Sequence, residues 1–292
     1  MPWLVILICG LLWACSAQPR NQRSAYRGFI SPDSLHAYLF ARGGGIGLIS
    51  AHRGGPGPGY PENAIETFER ALQFAPCIIE CDVRETRDGI LFLMHDPSLD
   101  RTTSGRGAVE RADLDYLRML RLRDPAGGIT SCRIPTLAET LEWARARCVL
   151  TLDVKEARLL PEVLSAVGRH NARGYAVVIT YTLEQARLVH RMDSRIVISA
   201  SAGSPASLDR LLRLGIPANR LVVFVGTREP VPGVYARLAA EGIPAILGTM
   251  NHLDRMARRR GDGVYRKLYG NGAGILSTDH VWRVARSLQE KP

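Results

Sequence analysis

The feature that most narrows the possible folds is a repeated switch of hydrophobic period. From Cys148 onward, short apolar runs that suit buried strands alternate with stretches whose apolar residues recur at helical spacing. Strands read at 176–181, 195–200, 220–225, 243–248 and 273–278, with helices near 160–172, 183–192, 206–214, 232–241, 251–259 and 280–288. Upstream, 46–51, 77–83, 90–94 and 148–155 also read as strands. Pro61 sits where a first-turn proline is tolerated and opens a helix to about Ala75; a further helix starts at Ile134-Pro135-Thr136-Leu137. Thr86-Arg87-Asp88-Gly89 is a turn too short for a parallel crossover, so 90–94 must return as a hairpin. Eight parallel strands remain, and the pattern predicts an α/β fold, a (β/α)8 TIM barrel carrying a hairpin strand. The 292 residues suit one such domain, 46–292, since these barrels take about 250 residues. Ser98 to Pro135, with a short helix near Asp113 to Arg121, reads as a small insertion after His95. No G-x-G-x-x-G marks a dinucleotide site, which disfavours an open doubly wound sheet.

The formal charge of +10 rests almost wholly on arginine, because lysine occurs only at 155, 267 and 291. Genome composition is the bland source of that bias; attraction to anionic substrates or to a membrane surface is the sharper one. No basic helix interleaved with aromatics points to nucleic acid. Met1 to Ala14 is apolar and shorter than the roughly 20 residues of a membrane span, so it reads as an export signal. Leu12-Trp13-Ala14-Cys15 is similar to a bacterial lipobox, and the expectation is a periplasmic lipoprotein anchored through lipidated Cys15. Plain secretion and a misassigned start are the alternatives. Residues 15–45 are then a tether and N-terminal segment, the tether itself running from Gln18 to about Ser34. Cys77 and Cys81 lie roughly 13 Å apart along a strand, beyond disulfide reach, while Cys132 and Cys148 stay open to either state.

Four strand ends carry chemistry: His52 and Arg53; Glu80 and Asp82; His95; Asp153 and Lys155. Strand side chains alternate, so Glu80 and Asp82 share a face, and the hairpin returns His95 to roughly their level. Isolated buried charge is costly, so a cluster of this kind marks a site rather than packing. Glu80, Asp82 and Asp153 suit a hard divalent ion such as Ca2+ or Mg2+. Arg53 and Lys155 suit phosphate, and His52 and His95 suit a general base and general acid. These parts describe phosphodiester cleavage.

The sequence resembles the glycerophosphodiester phosphodiesterase family. The resemblance rests on His52-Arg53-Gly54, Pro61-Glu62-Asn63, Glu80-x-Asp82, Thr86-x-Asp88-Gly89, His95-Asp96 with Leu99-x-Arg101-Thr102-Thr103-x-Gly105, Ile134-Pro135-Thr136-Leu137, Asp153-Val154-Lys155, Thr249-Met250-Asn251 and Ser277-Thr278-Asp279, in that order. It implies a (β/α)8 barrel, a Ca2+ or Mg2+ cofactor, and release of glycerol 3-phosphate from a small glycerophosphodiester. It implies catalytic roles for His52 and His95, metal binding by Glu80, Asp82 and Asp153, and phosphate contacts from Arg53 and Lys155. Glu62, Asn63 and Tyr181 are supporting residues on the same ground, Glu62 also as a contact of metal or glycerol, while Asp279 and Asn251 are either structural or supports behind the residues that touch substrate. Asp153 stands where the family usually has glutamate, and Ala64 follows Asn63 in place of threonine. The competing readings are a phospholipase D-like barrel acting on lysophospholipid or sphingomyelin, which an apolar groove near 98–135 would favour, and a non-catalytic lipid-anchored binding protein.

Overall fold

A computed structural model describes residues 31–43 and 47–289; the expected signal segment, Cys15 and most of the tether lie outside the described residues. The strands are β1 (Leu48–Ala51), β2 (Cys77–Glu85), β3 (Leu91–Leu93), β4 (Val149–Val154), β5 (Ala176–Thr180), β6 (Val197–Ser201), β7 (Leu221–Phe224), β8 (Ala245–Gly248) and β9 (Ile275–Thr278). All but β3 are parallel, and β1 pairs with both β2 and β9, which closes an eight-stranded barrel. Closure explains the composition of the strands: Val, Ile and Leu cover both faces because one packs into the barrel and the other under helices. β3 pairs antiparallel with the extended upper half of β2, Val83 opposite Leu93, as the short turn requires.

The helices that separate the later strands are α4 (Leu137–Ala144), α5 (Leu160–Arg169), α6 (Leu183–Met192), α7 (Pro205–Leu212), α8 (Val234–Ala240), α9 (His252–Arg260), α10 (Gly263–Gly270) and α11 (Val281–Gln289). Thr136, Thr182 and Ser204 cap α4, α6 and α7 through reciprocal capping boxes, which sharpens each entry from a strand-end loop. α10 was not visible as a helix in the sequence, because glycines flank it at both ends. It is held by burial of Tyr265 and Leu268 and by a 2.9 Å bond from Tyr265 to Asp254.

The helix expected from Pro61 begins instead at Ile65, as α2 (Ile65–Phe74). Asn63 takes a left-handed φ of 58° and Ala64 is extended, so the chain cannot be helical through Pro61. A second difference concerns the N-terminal segment. Helix α1 (Pro32–Gly43) starts before the expected end of the tether. It buries Leu35 and Leu39 against the barrel core and contacts the short turns that precede β5 and β7, so it covers the end of the barrel opposite the strand C-termini. Asp33 ties it there through Arg220 at 2.6 Å.

The insertion between β3 and β4 carries α3 (Leu114–Met119) and a small core of its own. Leu99, Val109, Leu117, Leu120 and Leu122 pack with Phe92 and Met94 at the root of the hairpin. The insertion is therefore anchored beside His95 rather than loose above it. The four described cysteines, including Cys132 and Cys148, are buried free thiols. Among the described residues no helix is long and apolar enough to cross a membrane.

Candidate active site

The C-terminal ends of β1, β2 and β4 converge on one side of the barrel mouth. In the β2–β4 register Asp82 lies directly opposite Asp153 on a neighbouring parallel strand, so the two carboxylates project side by side. Glu80, two residues back on the same face, completes a buried cluster whose ligand atoms all lie within 4.8 Å of one another. Leaving three carboxylates buried without counter-charge would be prohibitive. Lys155 supplies much of the balance, its ammonium 2.6 Å from Asp82 and 2.5 Å from Asp153. Burial by itself would raise Asp82, but the Lys155 charge together with the hydrogen bonds from Asn63 and Lys155 and the charge of Arg53 holds the carboxyl below its ordinary value. Burial and the charge of Asp82 push Glu80 up to about 8.

Each carboxylate is also oriented. Asn63 donates its amide to Asp82 at 2.7 Å and accepts the Asp82 backbone N–H at 2.9 Å, which is why its own backbone is held left-handed. Tyr181 donates to Asp153 at 2.8 Å. The Arg53 backbone N–H donates to Glu80 at 2.7 Å. That contact depends on the tight turn of His52–Gly54, where Arg53 has φ 52° and Gly54 φ 87°. A Cβ at Gly54 would overlap the Phe68 ring, so only glycine fits.

The metal assignment can be tested on the oxygens that remain. Asp153 Oδ1 is buried with no hydrogen-bond partner among the described residues. An orphaned anionic oxygen beside two further carboxylates fits a hard divalent cation that prefers oxygen donors. The cluster is compatible with a divalent metal at Glu80, Asp82 and Asp153.

The two histidines are held in the same manner from different places. His52 Nδ1 is 2.7 Å from Asp279, which follows β9. Burial by itself would lower the His52 pKa, but the hydrogen bond to Asp279 and the charges of Glu80 and Asp279 raise it overall. His95 Nδ1 is 2.7 Å from its neighbour Asp96. Arg101 grips Asp96 with Nε and Nη2 at 2.6 and 2.8 Å and, with its other face, meets Glu62 through two contacts of 2.8 Å. Glu62 also takes Arg53 at 3.1 Å. The Arg101 hydrogen bond, despite partial burial, holds Asp96 well below the usual carboxylate range. Arg84 fixes the His95 carbonyl at 3.0 and 2.8 Å.

The residues picked from the sequence therefore gather at one mouth. Arg53 and Lys155 both touch carboxylates, Glu62 contacts two arginines, and Tyr181 sits over Asp153. Asp279, expected to be structural or a support behind the site, bonds the candidate catalytic His52 directly. Asp96 and Arg101 stand in the motif series but receive no task from the sequence, and Arg84 has no signal there. Asn251, with φ 67°, forms the bend into α9 beside the cavity-lining Met250.

A cavity of about 120 Å3 opens between His52, Glu80, Asp153 and Tyr181, floored by Ser199 and Ile246. It is small against the roughly 300–1,000 Å3 of common ligand pockets. A separate groove of about 600 Å3 lies beside the insertion, lined by Ile65, Leu114, Ile134 and Pro135 as well as by Glu66, Arg118, Arg133 and Glu139, and it shares no lining residue with the barrel cavity.

Comparison with known proteins gives a consistent result. Residues 52–158 match the model of the glycerophosphoryl diester phosphodiesterase family. A crystal structure of a glycerophosphoryl diester phosphodiesterase from Parabacteroides distasonis superposes with a TM-score of 0.84 at 30% identity, over 90% of this chain and 93% of that one. An Oleispira antarctica phosphodiesterase, solved in complex with the product sn-glycerol-3-phosphate, shares the fold with a TM-score of 0.67 at 20% identity, over 83% of this chain and 97% of that one. Among curated sequences, the glycerophosphodiester phosphodiesterase of Caldanaerobacter subterraneus is 30% identical over 158 residues, 52% of this chain and 65% of that one. The chain thus spans less than two thirds of the length of the curated relatives it matches, 65% of the Caldanaerobacter subterraneus protein and 44% of a Bacillus altitudinis glycerophosphodiester phosphodiesterase.

Proposed function

Since the chain belongs to the glycerophosphoryl diester phosphodiesterase family, we propose that it hydrolyses glycerophosphodiesters to glycerol 3-phosphate and an alcohol by two-histidine acid/base catalysis. The observation that carries this reading is the placement of His52 at the rim of the cavity that Glu80 and Asp153 line, its Nδ1 already committed to Asp279. That bond leaves Nε2 as the nitrogen available to a substrate. His52 and His95 serve as the acid/base pair, one taking a proton from the attacking water and the other giving one to the departing alcohol oxygen. Arg53 and Lys155 are the cations for the phosphoryl group, Arg53 held at the mouth by Glu62 and Lys155 by Asp82 and Asp153. Glu80, Asp82 and Asp153 hold Ca2+ or Mg2+, which when bound polarises a phosphoryl oxygen and offsets charge that develops on it.

The size of the cavity supports a small polar diester. The separation of the groove beside the insertion from the barrel cavity speaks against an acyl chain running between them and so against the lysophospholipid and sphingomyelin reading. The experiment is product identification from a panel of glycerophosphodiesters, lysophospholipid and sphingomyelin. Glycerol 3-phosphate is expected from the first group alone; turnover confined to lysophospholipid or sphingomyelin overturns the assignment. Activity lost to a chelator and restored by Ca2+ or Mg2+ is the expected metal response, whereas indifference to chelator would leave the carboxylates a structural role. We further propose export and anchoring through lipidated Cys15, read out as fatty-acid incorporation that Cys15→Ser abolishes.

A further inference from the structure

Half of the protein's net charge is packed into its last βα units. Residues 250–289 hold eight arginines and lysines against three aspartates, a net of +5 within a chain total of +10. All three aspartates are already engaged: Asp254 by Tyr265 and Thr278, Asp262 by Arg283 and Arg286, and Asp279 by His52. Arg258, Arg266, Arg283 and Arg286 also have partners, whereas three cations of α9 stand apart. Arg255, Arg259 and Arg260 are exposed on α9 and have no hydrogen bond or ion pair among the described residues. Together with His252 and Met256 they line a surface groove of about 410 Å3.

A purely structural purpose for these charges accounts for only part of them. Cations in the last turn of a helix complement its dipole, which suits Arg258, Arg259 and Arg260. Arg255 lies toward the N-terminal end of the helix, where a positive charge is unfavourable. The spacing of 252, 255, 256, 259 and 260 instead makes one stripe along α9. The stripe begins at the barrel mouth, since Met250, two residues before it, lines the site cavity. Arg258 reaches His280, the neighbour of Asp279, at 3.4 Å, and Trp282 stands 43% exposed at the start of α11. A row of unpaired guanidiniums matches the geometry of phosphate, and Trp282, partly exposed with Arg283 and Arg286 over its ring, suits a boundary between water and lipid.

We propose that this face of α9 and the start of α11 docks the protein on an anionic phospholipid surface, with the barrel mouth at the edge of the contact. The proposal does not depend on which diester is cleaved. The test uses the full chain with Cys15→Ser, so that acylation cannot anchor it, and measures co-sedimentation with vesicles. Vesicles of about one third phosphatidylglycerol in phosphatidylcholine are expected to bind the protein, with release at high salt, and pure phosphatidylcholine is not. Arg255→Gln/Arg259→Gln/Arg260→Gln should weaken partitioning on the order of a hundredfold, from the usual contribution of each basic residue near such a surface. The same variant should keep wild-type turnover of a soluble diester, and the triple Lys variant should keep most of the binding. Equal binding to neutral and anionic vesicles, or undiminished binding by the Gln variant, overturns the proposal. So does tight binding to soluble polyphosphate with none to vesicles, which would assign the stripe to a soluble polyanion.

Discussion

The two candidate catalytic histidines are supported in opposite ways. His95 leans on the next residue, Asp96, and that carboxylate is clamped by Arg101 from the insertion and through it to Glu62. His52 leans on Asp279, 227 residues away, which reaches it only because β9 closes against β1. One histidine is positioned by a local loop and its satellite core, the other by closure of the barrel itself. The difference teaches that the two halves of one site can fail independently. Loosening the insertion should disturb His95 alone, whereas a slip in the β1–β9 register should disturb His52 alone.

The strongest break in that comparison is to remove each ring. His52→Ala and His95→Ala should each lower kcat on a soluble glycerophosphodiester by about 10²–10⁴, with an unchanged circular dichroism spectrum. Normal turnover in either variant would sink the acid/base pair. Next comes Asp279→Asn, which keeps the shape of the partner and removes its charge. kcat should fall by about 10–100-fold, as for other partners that orient an active-site ligand. In the metal-free protein the His52 titration followed by NMR should move down toward the ordinary histidine value, since Asp279 is one cause of its elevation. The sign for stability follows. A histidine raised by its partner adds stability in full below about pH 6.5, its unfolded value, and loses it as pH climbs through the raised value. Asp279 is itself held low, chiefly by the His52 hydrogen bond working against burial, so its share is present above about pH 4 and vanishes in acid. The Tm gap between wild type and Asp279→Asn should therefore be widest in between and shrink at both ends; a gap that widens with alkaline pH would contradict the pairing.

A smaller effect sharpens the other half. Arg101→Met should cost kcat about tenfold while KM changes little, and Arg101→Lys should recover part of that, because one ammonium cannot fork to Asp96 and Glu62 together. Nitrogen chemical shifts of His95 should then report mixed tautomers while those of His52 stay fixed. If both rings respond equally, the two supports are not independent. Tyr181→Phe is the mildest, losing one hydrogen bond to Asp153 and about three- to tenfold in kcat, with weaker metal affinity by isothermal titration.

Much of this could be read before any coordinates, for reasons of local geometry. Period-two alternation places Glu80 and Asp82 on one face whatever the fold, and the four-residue turn at Thr86–Gly89 forces β3 to bring His95 back beside them. The helix starts near Leu137 and Leu183 are legible from the hydrophobic period, and the structure adds the caps at Thr136 and Thr182. Where local cues were weak the reading failed: glycine ends hid α10, and a left-handed Asn63, required by its bonds to Asp82, moved the start of α2 to Ile65. The register that sets Asp82 against Asp153, the reach of Asp279 to His52 and the bridge from Glu62 to Arg101 are properties of a closed barrel with an anchored insertion. Sequence spacing fixes which way a side chain points along its own strand. Which other strand it meets is decided by closure, and that is a contact between segments far apart in the chain.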